Sequence, residues 1–127
     1  AGACRSQEEG PGQAREGEGA MSSKYILEGK TPVVEPSLMK WAAWFETANR
    51  HVGRTEVKGF DVSTVFLGLD HNFGGVGAPV LFETIVFGEK RGDDLYCERY
   101  STYEGAEAGH AKVVAALESG KTPEELK

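Results

Sequence analysis

The sequence predicts an α+β domain in which an antiparallel sheet of three to five strands has two helices packed on one face. Segments rich in β-branched and aromatic residues follow one another with short connections, and a helical pattern lies on each side of them. Consecutive strands joined in this way pair antiparallel, so no parallel crossover is needed. The predicted order of elements is β-α-β-β-β-α.

The first part of the domain is predicted to hold a short edge strand or hairpin and a helix. Residues 24–34 combine β-prone residues with a turn at Gly29-Lys30-Thr31-Pro32. Pro36 suits the first position of a helix, and apolar residues follow it at spacings of three and four. These residues are Leu38, Trp41, Ala42, Phe45, Ala48 and Val52. We therefore expect a helix over residues 36–50.

The second part is predicted to hold the sheet and the second helix. Residues 55–58 and 62–69 form a strand pair or one bent strand around Gly59, and strands over 80–87 and 95–100 follow. Ser101 and Glu104 have the spacing of a capping box, which predicts a helix over 102–119 that ends at Gly120. Thr122-Pro123 is expected to start only a frayed last turn.

The chain is predicted to divide into a leader, one domain and a short tail. Residues 1–20 contain none of the large apolar residues, so we expect a disordered leader. Both Trp, all four Tyr and all six Phe lie between Tyr25 and Tyr103, which places the domain at 21–120 and the tail at 121–127. The codons before Met21 would be purine-rich, like a ribosome-binding site, so we hypothesise that translation begins there. The alternative is a genuine flexible leader or an artificial extension.

Composition argues against several classes of protein. The chain has 127 residues, Lys+Arg 14 against Asp+Glu 20 and a net charge of -6, which disfavours direct binding to nucleic acid. No segment approaches the ~20 apolar residues of a membrane span, and no secretory signal pattern is present, so we expect a cytoplasmic protein. Gly74-Gly75-Val76-Gly77 has no Lys-Ser/Thr after it and leads into a strand, so no nucleotide or other cofactor is expected. Cys97 is predicted to be an inert packed thiol.

The first candidate site is the loop that begins with Asp70-His71-Asn72-Phe73. Loops at strand ends often carry binding or catalytic groups, and an Asp beside a His could orient an imidazole for general-base work or bind a metal. The alternative is structural: Asp70 and Asn72 bond turn amides, and His71 is an exposed loop residue.

Two further candidates lie on a strand and on the second helix. Glu83 stands in an apolar strand, so it is either an acid of raised pKa or, as we favour, the cross-strand partner of Arg99. His110 falls on the apolar stripe of the helix, where a hydrogen-bonded core or edge histidine is the favoured interpretation. If His71 and His110 met Glu83 or Asp70, they could bind a divalent metal. Their spacings match no metal motif, so no metal site is predicted.

Trp44 is the candidate binding residue outside the loop. It lies off the main stripe of the first helix, so it is either a partly exposed aromatic of an interface or part of a wider buried face.

Several blocks of the sequence resemble a group of short phage and prophage proteins of about the length of this domain. The resemblance spans nearly all of residues 24–117. Its blocks are Trp41-Ala42-Ala43-Trp44-Phe45-Glu46-Thr47-Ala48-Asn49-Arg50, Val62-Ser63-Thr64-Val65-Phe66-Leu67-Gly68-Leu69-Asp70-His71, Leu81-Phe82-Glu83-Thr84, Arg99-Tyr100-Ser101-Thr102 and Ala108-Gly109-His110. The resemblance implies a mobile-element product in a bacterial cytoplasm and supports a start at Met21. It implies no activity and no catalytic residue.

These observations together favour a binding protein over an enzyme, because the chain carries no complete catalytic set. We expect a small accessory protein of a phage or mobile element that binds a host or phage protein, or a second copy of itself. The alternative function is a small metal-assisted hydrolase that uses Asp70, His71, Glu83 and His110.

Overall fold

The computed structural model describes residues 5–6, 23–72, 76–88 and 94–127 and shows the predicted α+β architecture. The strands are β1 Arg5–Ser6, β2 Tyr25–Glu28, β3 Thr31–Val34, β4 His51–Val57, β5 Phe60–Phe66, β6 Phe82–Phe87 and β7 Asp94–Tyr100. The helices are α1 Leu38–Thr47, α2 Tyr103–Glu118 and α3 Pro123–Leu126. None of the helices in these ranges is long and apolar enough to cross a bilayer.

The strands form two sheets. In the larger sheet the order is β1-β7-β6-β5-β4, and β4 to β7 pair antiparallel as predicted. Within the predicted leader, Arg5–Ser6 forms a strand that pairs in parallel with the outer edge of β7. The predicted first hairpin is confirmed, but β2 and β3 form a separate two-stranded sheet.

The β4–β5 hairpin is longer than the sequence predicts. Its connection is the two-residue turn Lys58-Gly59, and both residues have positive φ, 50° and 84°. This is the conformation that a tight hairpin of matching twist requires. β4 begins at His51, four residues before the predicted start. Its pairing with β5 continues past Gly53 as far as His51, with a register shift between these two residues.

Helix α1 is shorter than predicted at both ends. Ser37, and not Pro36, sets its start, because the Ser37 hydroxyl accepts a hydrogen bond from the Lys40 amide at 3.2 Å. Ala48 has an extended backbone with ψ 146°, which ends the helix there. Pro36 therefore precedes the helix instead of opening it.

Helix α2 covers one face of the larger sheet. The cap is Thr102, whose hydroxyl accepts from the Gly105 amide at 2.9 Å, so the predicted capping box at Ser101 is wrong. Two apolar clusters lie between helix and sheet. One contains Val57, Val62, Val86, Tyr96, Val113 and Leu117, and the other Phe66, Leu81, Phe82, Tyr100 and Ala106. Helix α1 reaches only the end of this face, where Trp44 packs edge-on against Phe66.

The C-terminal residues are packed, where the sequence predicts a frayed turn. In α3, Pro123 is buried and Leu126 packs against the first cluster. The Thr122 amide donates to Glu125 Oε1 at 2.8 Å, which caps the short helix.

The prediction that Cys97 is a free thiol is wrong, because Cys97 is disulfide-bonded. Cys97 is the only cysteine of the sequence within residues 21–120, and the chain's other cysteine, Cys4, lies outside the described residues.

Candidate functional site

The predicted site at the end of β5 is a braced loop. Asp70 is only 6% exposed, and its Oδ1 accepts from the amides of Asn72 and Val80 at 2.8 and 2.9 Å. The side-chain Nδ2 of Asn72 donates to the carbonyls of Val76 and Ala78 at 2.6 and 3.0 Å. These bonds tie the two ends of the loop together, which is the structural alternative that the sequence leaves open. Phe73, the last residue of the predicted site, lies outside the described residues.

His71 is held by the backbone on both sides of the loop. Its amide donates to the Val80 carbonyl at 2.8 Å, and its Nδ1 lies 2.8 Å from the Leu69 carbonyl, a distance at which Nδ1 must carry the proton. The Asp70 Oδ1 atom accepts from two backbone amides, so it serves the loop backbone.

Glu83 has the cross-strand partner that the sequence predicts. Arg99 lies opposite it in the β6–β7 register, and Arg99 Nε donates to Glu83 Oε2 at 3.0 Å. The two side chains are 12% and 26% exposed, so the pair is partly screened by solvent. This pairing explains why a carboxylate is tolerated in the middle of an apolar strand.

We expect the Glu83–Arg99 pair to contribute about 0.2–1 kcal/mol of coupling, because it is a cross-strand ion pair near solvent. A double-mutant cycle with Glu83→Gln and Arg99→Gln, read by denaturant unfolding, measures it. A coupling energy indistinguishable from zero would mean that the attraction between the two charges only offsets the cost of removing them from water.

His110 lies between α2 and the sheet, as the favoured prediction has it. Its Nε2 is 2.9 Å from Thr55 Oγ1 and its Nδ1 is 2.8 Å from Thr64 Oγ1. Thr64 Oγ1 is 2.6 Å from Thr84 Oγ1 on the next strand. Glu98 lies opposite Thr84 on β7, and its Oε1 accepts a hydrogen bond from the Tyr96 hydroxyl. A row of polar residues thus crosses the covered face of the sheet.

Tyr100 is the last residue of β7 and lies on the face of the sheet that α2 covers. Its ring is fully buried, and within the described part of the chain its hydroxyl has no hydrogen-bond partner. Burial raises the pKa of Tyr100 to about 12, so the hydroxyl keeps its proton at neutral pH.

The four residues of the predicted hydrolase do not form one centre. Thr84 faces α2 and bonds the His110 network, so strand alternation places the neighbouring Glu83 on the opposite face of the sheet. Among residues 23–72, 76–88 and 94–127, no group of three or more His, Cys, Asp and Glu could hold a metal ion. The geometry therefore gives no support to acid–base or metal chemistry by this set.

Trp44 lies between the two alternatives that the sequence offers. It is half-buried and packs against Phe66 with ring centroids 5.8 Å apart, so the side chain is partly covered and partly accessible. Trp41 anchors the same helix, since its Nε1 donates to the carbonyls of Tyr25 and Gly68 at 3.1 Å each.

Three of the exposed large apolar side chains lie at or just before the start of α1. Leu38 is 63% exposed and Met39 80%, and Val34, at the end of β3, is 45% exposed. We call these three side chains the α1 surface. Sequence reasoning missed it because Leu38 belongs to the predicted buried stripe. One signal was available: Leu38 and Met39 are neighbours in the chain, and the side chains of neighbours diverge on a helix, so one narrow buried stripe cannot cover both.

The fold and these sites define a small α+β protein with an antiparallel sheet, one covering helix, a braced loop and an exposed apolar helix start. Comparison of the chain with family models, with curated proteins and with solved structures gives no match.

Proposed function

We propose that this protein is a small cytoplasmic accessory protein of a phage or mobile element that acts by binding another protein through the α1 surface. The observation that carries the proposal is the exposure of Leu38 and Met39, 63% and 80%, on a helix none of whose residues is buried. Single exposed apolar residues are ordinary, whereas three large ones within six residues of chain are typical of a contact surface.

The α1 surface sits on a fixed helix. Trp41 bonds two backbone carbonyls and stacks on Phe45 with centroids 4.7 Å apart. The Arg50 guanidinium lies 4.0 Å from the centre of the Phe45 ring. These contacts hold the helix from its inner side, so its first turn is presented in a defined position. A preformed surface loses little conformational entropy on binding.

The chemistry of the α1 surface favours a partner with an apolar groove. An exposed helix turn can insert its side chains into such a groove, and methionine adapts its shape to uneven apolar surfaces. The net charge of -6 disfavours a nucleic-acid partner. We therefore commit to a protein partner, with a second copy of the chain as the outcome to be distinguished.

We expect the double variant Leu38→Ser/Met39→Ser to fold normally and to bind its partner at least about tenfold more weakly, because anchor residues contribute more than about 1 kcal/mol each. The full chain is used to capture proteins from nuclease-treated bacterial lysate, and the affinity of the purified partner is then measured at equilibrium. Sedimentation of the protein alone at increasing concentration identifies self-association.

The matched control is Val76→Ser, since Val76 is 80% exposed but lies in the loop after β5. It removes an equally exposed apolar side chain elsewhere and is expected to leave binding unchanged. Full binding by the Leu38→Ser/Met39→Ser protein, or an equal loss with Val76→Ser, would contradict the assignment of the surface.

A further inference from the structure

His110 joins α2 to the sheet through both of its ring nitrogens. The ring bonds Thr55 on β4 and Thr64 on β5, and Thr64 bonds Thr84 on β6. Its edge rests over Gly53, where an added Cβ atom would lie 3.2 Å from the ring. The imidazole is therefore held by two hydroxyls over a glycine between helix and sheet, and a third hydroxyl bonds one of the two.

Protonation of this ring forces the hydroxyl chain to reorder. A neutral imidazole donates from one nitrogen and accepts at the other, whereas an imidazolium donates from both. One of the two threonine hydroxyls must therefore donate to the neutral ring and must turn to accept from the charged one. If that hydroxyl is Thr64, its hydrogen is released from the ring and becomes free to turn towards Thr84, which would reverse the bond between the two threonines.

The charged groups of the strands under α2 are poorly placed to neutralise an imidazolium. Strand alternation directs most of them to the opposite face of the sheet. These are Arg54, Glu56, Asp61, Glu83 and Arg99. Glu98 faces the helix, but the register places its backbone two strands from that of Thr64, which is about 10 Å at normal strand spacing. Its carboxylate already accepts from Tyr96, and the Tyr100 hydroxyl beyond it stays protonated at neutral pH.

The charged groups on the helices lie toward solvent. Glu107, one turn before His110, is exposed and lies 3.8 Å from Lys30. The remaining charged residues of α2 and α3 are exposed in the same way. They are Glu104, Lys112, Glu118, Glu124 and Glu125. Among the residues that the structure describes, a charge on the imidazole is thus introduced into the covered face without a close counter-ion from either side.

We propose that His110 is an acid-sensitive latch that holds α2 on the sheet while its ring is neutral and loosens that helix when the ring is protonated. The latch is independent of the α1 surface, which lies on another helix. Its consequence is that the apolar face under α2 becomes accessible on acidification.

The direction of the pH effect follows from the burial of the ring. Burial lowers the pKa of His110 below its ordinary value of 6.5, so the unfolded chain binds the proton at a higher pH than the folded protein does. The stabilisation by His110 is therefore complete above about pH 6.5 and is lost as the pH falls from there towards the lowered pKa.

The test compares the full chain with His110→Gln at about pH 7.5 and about pH 5.5, the range in which histidine titrates. Hydrogen exchange of residues 103–118, corrected for the intrinsic pH dependence, is expected to be severalfold faster at the lower pH in the unmodified protein. Its melting temperature is expected to fall over the same range. In His110→Gln both quantities are expected to change much less, because glutamine does not titrate.

The controls are His51→Gln and His71→Gln, which remove the other two histidines and are expected to keep the response. A response that persists in His110→Gln, or that disappears in either control, would overturn the proposal. If His110→Gln does not fold, an NMR titration of the unmodified protein decides the matter. The α2 amide shifts are expected to follow the midpoint of His110, and a midpoint shared instead with His51 or His71 would refute the latch.

Discussion

We expect Gly109→Ala to lower the free energy of unfolding by about 1–3 kcal/mol, the usual cost of overpacking a core. An added Cβ atom would lie 2.5 Å from Tyr100 Cε1 and closer still to the ring's Cζ and Oη atoms. Tyr100 is fully buried among the aromatic and apolar residues under α2, so the ring has little room to move. The clash should outweigh the gain of about 1 kcal/mol that alanine brings to a helix.

Denaturant unfolding of Gly109→Ala measures this effect, and Ala111→Gly calibrates the helix propensity, because Ala111 is exposed on the same helix. The Ala111→Gly protein should be less stable by about 1 kcal/mol. A Gly109→Ala protein that is more stable than the unmodified chain would show that α2 does not approach Tyr100 as closely as described.

We expect Asp70→Ala to lower the free energy of unfolding by about 2–3 kcal/mol. The change removes the acceptor of the Asn72 and Val80 amides in a position that is only 6% exposed. Hydrogen bonds to a charged group contribute about 1.5–3 kcal/mol, and buried donors left without a partner add a desolvation penalty. Exchange of the amides in the loop should increase together with the loss of stability.

The isosteric change Asp70→Asn separates the hydrogen-bonding role of Asp70 from the role of its negative charge. Its carbonyl oxygen can still accept from both amides, so we expect less than half of the loss caused by Asp70→Ala. If Asp70→Asn were as damaging as Asp70→Ala, the negative charge itself would matter, and an ionic role for Asp70 would have to be reconsidered.

Much of the sheet and of α2 could be predicted from the sequence, because their side chains repeat with the period of the element. Val62, Thr64 and Phe66 alternate with half-buried neighbours along β5, and Val113 and Leu117 recur on α2. The boundaries were harder to predict. Pro36 and Ser101 are both suitable helix starts, yet the cap in each case is the next residue, since only its side chain reaches the free amide.

Among the candidate sites too, some contacts could be predicted from the sequence and others could not. The Glu83–Arg99 pair was predictable, because consecutive antiparallel strands bring a carboxylate and a guanidinium opposite each other. The partners of His110 were not, since Thr55 and Thr64 come from two strands that only the register brings under the helix. The exposure of Leu38 and Met39 was not predicted, because periodicity alone does not tell how far a short helix is covered.

Hydrogen exchange of the complex with the captured partner tests whether the protein binds through the α1 surface. We expect amides of residues 34–45 to exchange more slowly in the complex than in the free protein, while those of β5 and β6 do not change. Unchanged exchange at residues 34–45, with protection confined to the sheet or to the loop after β5, would contradict it.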